Sequence, residues 1–356
     1  MMEFQKLTDI FPVHGTGIVT GRDKLTIKEN EEKVYTTVLN LSRIEDTVYR
    51  ELFSLNNDTR DWVILRAQQD LIKSGIDRQK IVPILYRPFD IRYTYYSGNS
   101  RGFHSRPQPG VMKHMLRENI GLITARKVTE REFSHCFVSD TIVESRLTAS
   151  NRGICYLFPL YLYDDSSQRK ANVNGDILKI LSERAGFKTP ATAEQVFYYI
   201  YALLFSRLFW KTYASRPKMD FSHVPFPADK DLFAEMAILG EQLVKVHLLR
   251  SPELHQNFSK FEVAGETRVE KLKYNEFEKK VYINRHQYFS NIDKEIWEYQ
   301  ICGYPVMSKW LKDRRKRTLS GKDILHYIKI ARALQLTLQY QSKIDRLFSL
   351  IDKAIP

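Results

Sequence analysis

The sequence predicts an α+β chain, with a mixed, strand-rich N-terminal domain followed by a mainly helical C-terminal region that carries a small β insertion. Three observations predict it. Runs rich in β-branched and aromatic residues crowd the part before Asp164, and such residues suit a pleated surface. Apolar residues at helical spacing dominate most of the chain beyond Asp176. Between the two lies DDSSQRKANVNGD, residues 164–176, polar and turn-forming with almost nothing to bury. At 356 residues, 43% of them hydrophobic and 27% charged, the chain has the composition of a folded protein with two or three structural units.

In chain order, Lys33 to Leu41 (KVYTTVLNL), Ile91 to Tyr96 (IRYTYY) and Ile154 to Tyr163 (ICYLFPLYLY) read as strands. Asp61 to Ser74 and Val111 to Glu118 read as helices between them. The expected division is 1–163 as an α+β domain, 164–176 as a linker or surface loop, 177–305 as a helical region with the β insertion, and 306–356 as a basic segment and long helix. Helices are expected at Ile177 to Ala185, Ala193 to Ala214 and Lys230 to Leu249. The last carries Leu232, Met236, Leu239, Leu243 and Val246 on one face. Thr189 and Thr192 supply starts for the second of these helices. Phe258 to Tyr282 returns to short strands around a turn at Gly265. A long helix from Lys322 to Lys353, started by Ser320, carries Ile324, Ile328, Ile330, Leu334, Leu338, Ile344 and Leu350.

The balance of 55 Lys and Arg against 42 Asp and Glu leaves +13, a positive field that draws in polyanions, with nucleic acid as the leading partner. Cys136, Cys155 and Cys302 stand far apart with no Cys-x-x-Cys, so neither a disulfide framework nor a zinc site is expected and a reducing cytoplasm fits. The N-terminus lacks the pattern of a secretory signal. The most apolar run, Val196 to Phe205, is far below the roughly 20 residues of a spanning helix, so no membrane role is expected.

The most informative stretch for function is Tyr86 to Arg131. From Arg87 onward it holds nine basic residues (Arg87, Arg92, Arg101, Arg106, Lys113, Arg117, Arg126, Lys127 and Arg131) against Asp90, Glu118 and Glu130. Its arginines alternate with Tyr93, Tyr95, Tyr96 and Phe103 around a Ser-Gly-Asn-Ser turn. Arginine grips phosphate or pairs with guanine, and Gln108 could read adenine. Half of these rings could instead be core, with Arg87–Asp90 a structural ion pair; for Tyr93 and Tyr95 both readings stay open. A second loop, Gly15 to Lys24 (GTGIVTGRDK), joins three glycines to Arg22 and Lys24, so that its backbone N–H groups could cradle a DNA phosphate, or form a plain surface turn. A third cluster, KWLKDRRKR, holds Lys309, Lys312, Arg314, Arg315, Lys316 and Arg317 beside Trp297, Tyr304 and Trp310, and suits contacts along a phosphate backbone.

Catalytic patterns are missing from the sequence. The nine histidines form no metal-ligand spacing, and there is no Gly-x-Ser-x-Gly elbow. Glu31 and Lys33 match the Glu-x-Lys of many nucleases, yet without a preceding Pro-Asp they read as a solvated charge run. Asn-Pro-Pro-Tyr, which holds a flipped base in many adenine methyltransferases, does not occur.

Six blocks stand in a telling order: GTGIVTGRDK; IVPILYRPFDIRYTYYSG with GFHSRPQPGVMKHML; YLFPLYLY; EQVFYYIYALLFS; KVYINRHQYF; and WEYQICGYPVMSKWLKDRRKRTL. Together they resemble the C-terminal specificity region of type ISP restriction-modification enzymes and, more loosely, the recognition regions of single-chain type IIG-like restriction-methylation enzymes. The resemblance implies a sequence-specific double-stranded DNA recognition module that directs adenine methylation and cleavage. It places S-adenosylmethionine, Mg and ATP in associated methyltransferase, nuclease and ATPase domains, in the same or a partner chain, and no cofactor in this one. The matching motif positions are Arg22 and Lys24, then Arg87, Asp90 and Arg92, then Lys309 and Arg314. Independent catalysis is in doubt because the other signatures are missing, which makes the chain a fragment or a separate specificity polypeptide. The rival expectations are an autonomous DNA-modifying enzyme, as a degenerate methyltransferase or nuclease, and a protein-assembly module.

Overall fold

The computed structural model describes residues 4–52, 55, 57–126, 136–147, 153–213, 221–256, 258–301 and 303–353. Lys127, Glu130, Arg131, Cys302 and Ala214, named above, lie outside them.

Two four-stranded sheets organise the N-terminal half. The first is antiparallel and runs Gly15–Thr16, Cys155–Pro159, Gly121–Ala125, Cys136–Ser139, with Leu122 opposite both Phe158 and Val138. Strand Gly121–Ala125 is buried throughout, as a central strand covered on both faces must be. The second runs Ile27–Lys28, Asp90–Tyr95, Ile81–Arg87, Ile142–Val143, the last pair parallel. Its central hairpin turns on Pro88 and Phe89. Phe89 holds φ +61°, the backbone that the third residue of a proline-led turn needs. Its buried ring packs edge-on against Phe137 at 5.2 Å, which holds that conformation in place.

Lys33 to Leu41, expected as a strand, is the middle of the helix Glu31–Arg43. Composition and spacing compete here, and spacing wins. Val34, Thr37, Val38 and Leu41 share one helical face and are all buried, and the Asn30 side chain caps the helix by accepting from Lys33 N–H at 2.9 Å. With the helix Ile64–Ser74 it covers the hairpin and encloses a small core containing Trp62, Leu71, Tyr95 and Phe103.

A larger hydrophobic cluster draws residues from Leu7 to Ile351, on both sides of the polar stretch 164–176. That stretch contains strand Arg169–Ala171, exposed and paired with Tyr161–Tyr163, and then Asn172, which is buried. The Asn172 amide donates to Val13 O and Pro159 O at 2.7 and 2.8 Å.

The helical region follows its sequence signals. Thr192 and Gln195 form a capping box on Ala193–Phe205. The run expected to reach Ala214 breaks at Ser206, which is extended and caps a separate helix, Arg207–Thr212. Helix Lys230–His247 crosses Ala193–Phe205 so closely that a Cβ on Gly240 would collide with Tyr198 O. Helix Gly321–Lys353 packs along both, its first turn held by Ser320 and Asp323. The β insertion is a sheet of Phe261–Glu262, Tyr288–Phe289, Lys280–Tyr282 and Lys273–Asn275. No helix among the described residues is long and apolar enough to cross a membrane.

Candidate nucleic-acid interface

The two N-terminal basic loops lie against each other. Val19 and Arg106 exchange backbone hydrogen bonds at 3.0 Å, Ser105 N–H donates to Thr20 O at 3.3 Å, and the Gln108 amide donates to Thr16 Oγ1 at 2.7 Å. Lys24, Arg101 and Arg106 are exposed on the resulting rim, and Arg22 is half-buried. Part of the glycine loop has its N–H groups committed to the fold. Those of Gly17, Ile18 and Val19 already donate to Cys155, Val143 and Arg106 carbonyls. Gly17 is needed for close packing instead, since a Cβ there would meet the Ser145 backbone at 2.6 Å. The Arg22 guanidinium donates to Asn57 O and lies over the Trp62 ring at 5.5 Å.

The rings and polar groups of the second block are mostly structural. Tyr95 and Tyr96 are buried, donating to Gly75 O and, at 3.0 Å, to Pro107 O, while Tyr93 is half-buried against the small core. Tyr96 is therefore no base contact. Gln108 sits at φ +56° ahead of helix Pro109–Met115, half-buried, with its Nε2 donating to Thr16.

The expected Arg87–Asp90 pair is replaced by three others. Arg87 donates to Glu144 at 2.7 Å, and Asp90 is gripped by Arg92 at 2.8 Å and Arg314 at 3.0 Å. The hairpin bulge between Leu85 and Arg87 shifts the register at this point. Arg87 and Arg92 lie over the Tyr86 ring at 3.9 and 4.2 Å. Burial pushes the Asp90 carboxyl up, but the Arg314 and Arg92 charges overcome it and hold the group below its ordinary value. Burial keeps Glu144 above the usual carboxylate range in spite of Arg87.

The third cluster divides. Arg314 is locked, with its guanidinium 3.5 Å over Trp310 and bonded to Trp310 O and Asp90. Arg317 pairs with Glu29 at 2.6 Å. Lys309 is half-buried and Arg315 is exposed. Trp310 and Tyr304 are buried, and Trp297 stacks on Tyr274 at 5.3 Å, so the flanking aromatics serve packing. Glu29 follows the strand that begins at Ile27, so the Glu29–Arg317 pair ties this cluster to the end of that strand. Beside the pair opens a cleft of about 860 Å³ between the hairpin and the start of the terminal helix, lined by Phe89, Arg92, Trp310, Arg317 and Lys322 among others.

Arg126 is exposed at the end of strand Gly121–Ala125. Among the described residues, no group of three His, Cys, Asp or Glu is placed to hold a metal ion. Two residues that organise the site were missed, Glu144 and Asp70. Asp70 carried a signal: Ile64, Ala67 and Leu71 place position 70 on the buried face of its helix.

Residues 9–344 match the type ISP C-terminal specificity domain. No curated protein matches the chain. Three solved structures contain a similar fold. The DrdV–DNA complex, determined by cryo-electron microscopy, is 19% identical over 95% of this chain, with a TM-score of 0.73. The ATP-dependent type ISP restriction-modification enzyme LlaBIII bound to DNA is 17% identical over 94%, with a TM-score of 0.69. A nuclease-deletion mutant of the type ISP enzyme LlaGI, in complex with a DNA substrate mimic, is 18% identical over 96%, with a TM-score of 0.67. The chain spans 36, 23 and 29% of those three chains respectively. With the match running from residue 9 into the terminal helix, the chain belongs to the type ISP C-terminal specificity domain family.

Proposed function

We propose that this chain is the double-stranded DNA recognition module of a restriction-modification enzyme, directing adenine methylation and cleavage carried out by other domains. The observation that carries the reading is the specificity-domain match over residues 9–344. Three solved proteins with this fold are DNA complexes by description. The surface supports it as well. Lys24, Arg101, Arg106 and Arg315 are exposed and have no ion-pair partner among the described residues, on a chain of net charge +13. Arg87, Arg92 and Arg314 are held by carboxylates and belong to the scaffold that sets the rim in place. In the proposal, S-adenosylmethionine, Mg and ATP serve the methyltransferase, nuclease and ATPase domains, and this chain supplies position alone.

The test is selection from a randomised duplex library at two salt concentrations, with sequencing of the bound fraction. An enriched word that survives the higher salt supports sequence recognition. Binding with no enriched word, fading as salt rises, would reduce the chain to a module that grips backbone only.

A further inference from the structure

The turn from Ser97 to Arg106 is held far more firmly than an exposed loop requires. Asp70, 8% exposed on the helix Ile64–Ser74, accepts from Asn99 Nδ2 at 2.8 Å and Ser74 Oγ at 3.0 Å through Oδ1, and from Ser97 Oγ and Phe103 N–H at 2.8 Å through Oδ2. Four donors fill the acceptor sites of a carboxylate. No basic side chain pairs with Asp70 among the described residues, so three donors of the turn and Ser74 of its own helix satisfy this buried carboxyl group. Gly102 fits because a Cβ there would run into the Asp70 carboxylate. Phe103, fully buried, anchors the far end, and its carbonyl accepts from Trp62 Nε1 at 3.1 Å.

What this clamp presents is Arg101. Its backbone sits at φ +57°, its N–H donates to Ser105 O at 3.0 Å, and its side chain is exposed with no carboxylate partner among the described residues. A left-handed arginine persists only where its surroundings impose it.

Resting on the DNA reading above, we propose that this turn is a pre-organised probe whose Arg101 reads a guanine, with Asp70 as its positioning residue. A guanidinium on a rigid turn gives up less freedom when it pairs bidentately with guanine O6 and N7. A phosphate contact needs charge but no such fixed direction. Arg106, on the return limb beside Val19, takes the phosphate role.

The experiment repeats the duplex selection with the whole chain and its R101A, R101K, D70N and R106A variants, each checked by thermal melting. Wild type is expected to enrich a word containing guanine. R101A and R101K should relax one guanine position by roughly 5- to 150-fold. D70N should blur that same position while the salt dependence stays put. R106A should weaken all sequences and reduce the salt slope by about one, with the word intact. If D70N does not fold, Ser97→Ala removes one of the four bonds and is read in the same way.

An intact word in R101A overturns the probe while leaving DNA reading in place. A lower melting temperature in D70N with an unblurred word, or an unblurred word in Ser97→Ala where that variant is needed, makes Asp70 a structural residue only. A wild-type chain that enriches no word removes the reading on which both rest.

Discussion

Asp90 and Arg314 are 224 residues apart in sequence, yet their side chains meet at 3.0 Å. The contact ties the tip of the Ile81–Tyr95 hairpin to the segment that leads into the terminal helix. His326 reinforces the same junction through Phe89 O at 2.7 Å.

Arg314→Ala is expected to destabilise the chain by about 1–3 kcal/mol, because it strips one partner from a buried carboxylate that Arg92 still holds. Urea unfolding measures this. Duplex affinity of the folded variant should stay within about threefold of wild type, since the guanidinium is held by protein; a large loss with unchanged stability would place Arg314 on DNA.

Glu144→Ala should cost more, about 3–5 kcal/mol, as it leaves the Arg87 guanidinium buried without its carboxylate. It also removes the acceptor for Arg146 N–H at 2.9 Å. Equilibrium denaturation of Glu144→Ala beside the milder Glu144→Gln separates loss of charge from loss of shape. Equal cost for the two would assign the whole effect to the lost charge, whereas a Glu144→Gln chain as stable as wild type would show that the ion pair is not what matters.

Val263 holds φ +72° while half exposed, a conformation that β-branched side chains avoid. Val263→Gly should therefore stabilise the chain by about 0.5–1 kcal/mol, the relieved strain exceeding the entropy that glycine adds to the unfolded state. The readout is a raised melting temperature, and a fall would mean that the valine packs usefully.

Two buried histidines make the fold sensitive to acid. His247 sits between Tyr201 and Thr337 at 2.6 and 2.9 Å. Thr337 already donates to Ala333 O, so it accepts from Nε2–H, and Nδ1 accepts from Tyr201. Burial lowers His247 to about 3 and His104 to about 4. Both are depressed below the ordinary value near 6.5, so the unfolded chain binds protons first. Their stabilisation is whole above about pH 6.5 and is lost as pH falls toward the folded values, at up to roughly 1.4 kcal/mol per unit for each. Melting temperature should hold steady from pH 8 to 7 and drop from 6.5 to 4.5, with a shallower drop in His247→Gln. An equal slope in that variant would exclude His247 as a source.

Much of the architecture was legible in local chemistry. The Thr192 capping box, the Ser320 start, the Asp90–Tyr95 strand and the 3–4 spacing of Lys230–His247 depend on neighbours in sequence, and each lies close to where those residues put it. The family was legible too, because six ordered blocks are a property of the chain itself. Lys33 to Leu41 misled because β-branched composition points to a strand, while burial of one helical face decides in favour of a helix.

The roles of the charged side chains were decided by tertiary structure. In sequence, Arg87, Arg92, Arg101, Arg106 and Arg314 are alike, each a cation in a basic stretch. Folding brings Glu144 to Arg87 across 57 residues and Asp90 to Arg314 across 224, which turns those cations into internal ties and leaves Arg101 and Arg106 facing outward. A sequence states which groups carry charge, whereas the free energy of a charge depends on what lies within a few ångströms of it, and only the folded chain sets those distances.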